Sequence, residues 1–173
     1  EIGAMFLLFN QRAILADQMG LGKTVQSIAS VEIANAYPCV IVCPSTLKFN
    51  WIDEFSKVAN REVHSIKGKR TPKGKDIYII NYESVHKNVD FIKSLGAQSV
   101  IFDESHYLKN PEAKRTQHCL DIINHVPYRF LLAGTAVINR PVELIPQLKI
   151  LRRLEEHFES EEYFMEKFCL STN

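Results

Sequence analysis

Asp17-Gln18-Met19-Gly20-Leu21-Gly22-Lys23-Thr24 lies between a short apolar run, Ile14-Leu15-Ala16, and a stretch of helical periodicity. The run before it has the composition of a buried parallel strand. Gly20 and Gly22 carry no Cβ, so the backbone can turn sharply and present its N–H groups to an anion. From Lys23 onward, Val25, Ile28, Ala29, Val31, Ile33 and Ala34 are interleaved with Gln26, Ser27, Ser30, Glu32 and Asn35. Strand, glycine-rich turn and helix in this order place phosphates at a helix N-terminus, where free N–H groups and the dipole favour negative charge. Lys23 then reaches the β- and γ-phosphates, and the Thr24 hydroxyl ligates Mg²⁺. The general G-x-x-x-x-G-K-[ST] pattern has glycine where this chain has Asp17. Alone, the stretch could also be a glycine-rich turn before an ordinary helix, with a salt-bridged lysine.

A second motif narrows the choice. Ser99-Val100-Ile101-Phe102 reads as a buried strand, and Asp103 and Glu104 stand at its carboxyl end, followed by Ser105 and His106. Ligands of open α/β sheets bind at that end of the strands. Two adjacent acids closing an apolar strand are costly unless a cation or a proton shares the site. Asp103 is expected to hold Mg²⁺ through a water, and Glu104 to orient and deprotonate the attacking water. The competing account is a solvated acidic turn leading into a helix. With the upstream loop in place, the two motifs point to a nucleoside triphosphate, ATP.

The chain has 173 residues, enough for one hydrophobic core and short for two. Its charge of +1 gives no global attraction to nucleic acid, so any such surface must be local. Cys39, Cys43, Cys119 and Cys169 show neither C-x-x-C pairing nor zinc spacing and read as reduced thiols of an intracellular protein. No apolar run approaches the about 20 residues needed to span a bilayer, and no membrane association is expected. Further strands are expected at Cys39–Cys43, Ile77–Ile80 and Arg129–Leu132. Helices are expected at Ser45–Val58, Glu112–Asn124 and Pro141–Leu151, with a terminal one over the acidic stretch Glu155–Glu166. The alternation predicts a doubly wound, mostly parallel α/β sheet flanked by helices on both faces. Lys67, Lys69, Arg70, Lys73 and Lys75 fall in a Gly/Pro-punctuated loop, which reads either as a phosphate-backbone contact or as a solvated loop. Trp51, with Ile52 and Phe55 nearby, reads as core.

Leu15 to Thr24 resembles motif I of the Swi/Snf-type DNA-translocating ATPases of helicase superfamily two, a family that puts an acid at the Asp17 position. The resemblance covers nearly the whole chain. Ile41-Val42-Cys43-Pro44-Ser45-Thr46-Leu47 is similar to motif Ia, continued by Asn50-Trp51 and Glu54, and Asn81-Tyr82-Glu83 to the segment called Ic. Asp103-Glu104-Ser105-His106 with Lys109-Asn110 resembles motif II and its extension. Leu131-Leu132-Ala133-Gly134-Thr135-Ala136, then Asn139-Arg140-Pro141 and Glu143-Leu144, resembles motif III. Motif III usually reads Thr-Gly-Thr-Pro, so Ala133 and Ala136 depart from it. Gly134 and Thr135 remain for coupling hydrolysis to DNA movement.

The resemblance implies a RecA-like first lobe over residues 1–173. Asp17 to Thr24 are its nucleotide-binding residues, Thr24 and Asp103 its metal ligands, and Lys23, Asp103, Glu104 and His106 its catalytic set. It also implies ATP and Mg²⁺ as cofactors, double-stranded DNA as partner, and DNA contacts from Ser45, Thr46, Lys48 and Asn81. Glu1-Ile2-Gly3 looks like the end of a Tyr-Gln-x-x-Gly-like run whose glutamine, a reader of adenine, would precede Glu1. Nothing in the chain resembles the second RecA-like lobe, so a monomeric excised lobe with little turnover of its own is expected. Nuclear location is expected for a eukaryotic source and cytoplasmic for a bacterial or viral one. Two other readings stay open at this point: a strand-separating DEAH-type helicase acting on DNA or RNA, and a non-catalytic nucleotide-binding module.

Overall fold

Six apolar runs become strands: β1 (Arg12–Ala16), β2 (Cys39–Cys43), β3 (Val63–Ser65), β4 (Ile77–Asn81), β5 (Ser99–Phe102) and β6 (Tyr128–Ala133). The structure, a computed structural model, describes residues 2–16, 20–134 and 141–169, without the side chain of Lys69. All six strands pair in parallel in one sheet, in the order β1-β6-β5-β2-β4-β3. Parallel strands put all their carboxyl ends on one edge, so the segments after β1, β2, β4, β5 and β6 gather there.

The central strands are apolar on both faces because both are covered. Val40, Val42, Tyr78, Ile80, Val100, Phe102 and Leu131 pack on one side. Cys39, Ile41, Cys43, Ile77, Ile79, Ile101, Phe130 and Leu132 pack on the other. The second face is roofed by α1 (Ile2–Asn10), α2 (Lys23–Ala34) and α3 (Lys48–Ala59), through Leu7, Ile28, Val31, Trp51 and Phe55. The first is covered by α4 (Val89–Ser94), α5 (Lys114–Asp121) and α6 (Ile145–Ile150), through Ile92, Cys119 and Ile150. Two further short helices, α7 (Leu154–Phe158) and α8 (Glu161–Phe164), form a satellite apolar cluster with Ile145. The expected doubly wound α/β architecture is present, with every pairing parallel. No helix among the described residues is long and apolar enough to cross a membrane.

Several expected elements differ in detail. The helix expected from Ser45 begins as a 3₁₀ turn over Ser45–Leu47, and the α-helix proper starts at Lys48. The helix expected over Glu112–Asn124 is confined to Lys114–Asp121, because Pro111 precedes it and Asn110 Oδ1 accepts the Glu112 N–H in a turn. Pro141–Leu144 is a 3₁₀ turn before α6. The acidic terminal stretch is two helices rather than one, broken at Glu159, whose φ is 61°.

The basic segment after β3 is largely exposed and carries local hydrogen bonds. Thr71 Oγ1 accepts the Lys67 N–H at 2.7 Å, and Thr71 N–H returns to the Gly68 carbonyl at 3.1 Å. The Tyr78 hydroxyl accepts the Lys75 N–H and donates to the Pro72 carbonyl, both at 3.0 Å. These hydrogen bonds tie down the backbone beside Lys67 and Lys75.

Candidate functional site

The turn after β1 returns to the helical register at Gly20 and Gly22, with φ of 87° and 70°. Glycine takes such values without strain, so these two residues let the chain turn into α2. Gly22 caps α2 and accepts the Gln26 N–H, while the Gln26 side chain donates to the Leu21 carbonyl at 2.7 Å. Lys23 and Thr24 are the first residues of α2, where orphan backbone N–H groups and the helix dipole favour an anion.

Asp103 and Glu104 follow β5 on the same sheet edge. A cavity of about 420 Å³ opens between the two segments. Gly20, Gly22, Lys23 and Thr24 line one side of it; Asp103, Glu104 and Gly134 line it from the strand ends. Val25 lines it from α2, and Leu47, Asn50 and Glu54 from the turn after β2 and α3. Asp17, Gln18, Met19 and Thr135 lie outside the described residues. The cavity thus brings together Gly20, Gly22, Lys23, Thr24, Asp103, Glu104 and Gly134, while Leu21 is largely exposed beside it.

Asp103 is fixed at every polar atom. Its N–H donates to the Val42 carbonyl at 2.9 Å, and its own carbonyl accepts the Tyr82 hydroxyl at 2.7 Å. Its Oδ1 accepts the Glu104 N–H at 2.9 Å, and Oδ2 accepts the Trp51 Nε1–H at 2.8 Å. Burial pushes the Asp103 carboxyl up; the Trp51 and Glu104 hydrogen bonds and the charge of Lys23 pull it back. Glu104 is held at φ 51°, ψ 54°, a left-handed conformation that an L side chain adopts only against strain. Its Oε2 lies 3.1 Å from His106 Nδ1, so His106 joins the cluster through Glu104.

The wall chemistry fits a magnesium–nucleoside triphosphate. One side offers an ammonium, a hydroxyl and a helix N-terminus to polyphosphate. The other offers two carboxylates, which suit a hard divalent cation and a water.

The residues expected to meet DNA sit on the same sheet edge, after β2 and β4. Ser45 and Thr46 are exposed in the 3₁₀ turn. Lys48 Nζ donates to Asn81 Oδ1 at 3.0 Å, and the Asn81 amide also engages Ser84 Oγ and Glu83 Oε2. Burial lowers the Lys48 ammonium, and the charge of Lys67 acts in the same direction.

The sequence reading places Trp51 in the core without assigning it a part in the site. It is fully buried, yet its single polar side-chain atom is spent on Asp103. The one signal is its position in α3, one turn past Lys48, and the 52-residue separation from Asp103 hides the contact. Asn50 and Glu54 enter the sequence reading only as continuing motif Ia.

Residues 8–172 match the SNF2-related domain. A Caenorhabditis elegans protein named SWI/SNF-related matrix-associated actin-dependent regulator of chromatin subfamily A-like protein 1 homolog is 32% identical over 86% of this chain and 23% of its own length. Human "DNA annealing helicase and endonuclease ZRANB3" is 32% identical over 82% of this chain and 14% of its own. The chain thus spans under a quarter of either relative. The solved Sulfolobus solfataricus SWI2/SNF2 ATPase core in complex with dsDNA superposes with a TM-score of 0.85 at 26% identity. That match takes in 96% of this chain and 37% of the other. Fold, motif order and sequence agree, and the chain belongs to the SNF2-related domain family, of the Swi/Snf type within helicase superfamily two.

Proposed function

We propose that residues 1–173 form the first RecA-like lobe of a double-stranded-DNA-dependent ATPase that translocates on duplex and remodels DNA or DNA–protein complexes. The observation that carries this reading is the convergence of Gly20, Gly22, Lys23 and Thr24 with Asp103 and Glu104 around one cavity. Bound there, Mg²⁺ and ATP supply a shielded, electrophilic γ-phosphorus. Lys23 and the N-terminus of α2 hold the phosphate oxygens, and Thr24 and Asp103 hold the metal. Glu104 accepts the proton of the attacking water, and His106 orients the Glu104 carboxylate. Gly134 and Thr135 couple this site to movement, and arginines of a second lobe complete it, so the chain alone turns over little ATP.

Three further facts favour a duplex substrate. The superposed archaeal core holds dsDNA, the nematode relative is named as a chromatin regulator, and the human one as a DNA annealing helicase. On this chain Ser45, Thr46, Lys48 and Asn81 form the contact surface, extended by the basic loop from Lys67. A nuclear location follows if the source is eukaryotic, as both relatives are.

ATP hydrolysis by the complete protein, with and without duplex DNA, tests the reading, with Lys23→Ala as blank and Glu104→Gln as a variant that binds nucleotide without cleaving it. Strong stimulation by duplex, lost in both variants, is expected. Stimulation by RNA or single strands instead would make this the lobe of a strand-separating helicase. Unchanged activity in Glu104→Gln would remove Glu104 from the chemistry altogether.

A further inference from the structure

The four hydrogen bonds on Asp103 come from different sources, and two of them join the catalytic acid to the nucleic-acid surface. Trp51, which holds the carboxylate, lies three residues beyond Lys48 on α3. Tyr82, which holds the main-chain carbonyl, directly follows Asn81 at the end of β4. Lys48 and Asn81 are hydrogen-bonded to each other at 3.0 Å. A closed circuit results: Asp103, Trp51, α3, Lys48, Asn81, Tyr82 and back to Asp103.

Both donors are rigidly seated. Trp51 is fully buried and packs against Phe55, and Tyr82 is 1% exposed. The Tyr82 ring stacks on Tyr107 with centroids 5.1 Å apart and planes 9° from parallel. Neither can reorient without moving the element that carries it, because close-packed surroundings leave few alternative rotamers. A phosphate that draws Lys48 away from Asn81 would open the circuit, and the strain would fall on Asp103.

We propose that Trp51 and Tyr82 are positioning residues: they set the Asp103 carboxylate for its metal and transmit occupancy of the Lys48–Asn81 surface to it. This rests on the ATPase reading above. Neither residue lines the cavity, and each is hydrogen-bonded to Asp103. Outer-shell partners of this kind orient a metal-holding carboxylate, and losing one typically costs about 10–100-fold in metal affinity or activity.

The test uses Trp51→Phe and Tyr82→Phe, each of which keeps an aromatic ring and removes one donor. Mn²⁺ affinity of the complete protein in saturating ADP is read by electron paramagnetic resonance, alongside ADP affinity in chelator and the thermal midpoint. An about 10-fold loss of Mn²⁺ affinity in Trp51→Phe is expected, with ADP affinity in chelator unchanged. In the wild type, adding duplex DNA should shift Mn²⁺ affinity; in both variants that shift should shrink toward none. Wild-type Mn²⁺ affinity and wild-type DNA response in both variants would overturn the proposal. Absence of Mn²⁺–ADP binding in the wild type would instead overturn the nucleotide reading beneath it. If Trp51→Phe does not fold, Tyr82→Phe decides alone, because the hydroxyl it removes donates to the Asp103 carbonyl.

Discussion

Glu104 occupies a conformation that glycine or asparagine would hold more comfortably, with φ 51° and ψ 54°. An L residue there costs on the order of 1 kcal/mol, and such strain persists only where surrounding structure over-determines it. Here the Glu104 N–H is tied to Asp103 Oδ1 and the following turn is closed by Tyr107 N–H on the Glu104 carbonyl. The strained backbone turns the Glu104 side chain toward the cavity beside Asp103 instead of continuing along the strand. Glu104→Gly should therefore raise folding stability by about 0.5–1 kcal/mol while ending ATP turnover, the usual opposition between stability and a working site. Calorimetry and a duplex-stimulated hydrolysis assay, both on the complete protein, would read the two effects. A variant less stable than the wild type would show that the contact with His106 outweighs the backbone strain.

At the scale of elements, the crossing of α1 on α2 is close because residue 3 is glycine. A Cβ there would stand 1.7 Å from Gln26 Oε1 and 2.8 Å from Gln26 Cδ. Gln26 is the side chain that donates to the Leu21 carbonyl in the glycine turn before α2, and Ser30, one turn on, donates to the Ala4 carbonyl at 3.1 Å. Gly3→Ala should push the Gln26 amide off Leu21. Losing one net hydrogen bond is worth about 0.5–1.5 kcal/mol. Nucleotide affinity should accordingly fall by about 2- to 10-fold, measurable by titration calorimetry. An affinity equal to that of the wild type would mean that α1 does not brace the turn.

The sheet was readable from sequence for a simple reason. Strands covered on both faces are unbroken apolar runs, as at Cys39–Cys43 and Ser99–Phe102, and these stand where expected. Helix α1 carried no such sign, since Ile2, Met5, Phe6 and Phe9 make its outer face as apolar as its inner one. β3 is three residues long, too short for any periodicity. The break at Glu159 has no glycine or proline to announce it. Glycine spacing and paired acids pointed to the segments that line the cavity at the strand ends. Its bracing by Trp51 and Tyr82 is a tertiary property with no local pattern.

For the whole molecule, the depth of the core can be read chemically. Cys39, Cys43 and Cys119 are buried, and burial pushes each thiol up to about 12, whereas Cys169 is partly exposed. The thiolate is the reactive form, so iodoacetamide at mildly alkaline pH should label Cys169 in the folded chain and reach the other three only in denaturant. Mass spectrometry of quenched samples would show the order. Early labelling of Cys43 would mean that the region between Lys48 and Asp103 opens in solution.

A net charge of +1 cannot drive binding to a polyanion, so affinity for duplex has to come from where the cations are placed. Lys67, Arg70, Lys73 and Lys75 fall within nine residues of one segment, on a backbone held by the side chains of Thr71 and Tyr78. Bringing like charges together on rigid supports is unfavourable without an anion, and a phosphate backbone relieves it. Removing one lysine–phosphate interaction should lower the slope of log K against log salt by about 0.9. Lys67→Gln with Lys73→Gln should thus reduce the slope by about 1–2 and weaken binding equally on unrelated duplex sequences. Fluorescence anisotropy from low to physiological salt would measure it in the complete protein. An unchanged slope would confine the DNA surface to the turn after β2 and the end of β4, and leave the basic loop a solvated one.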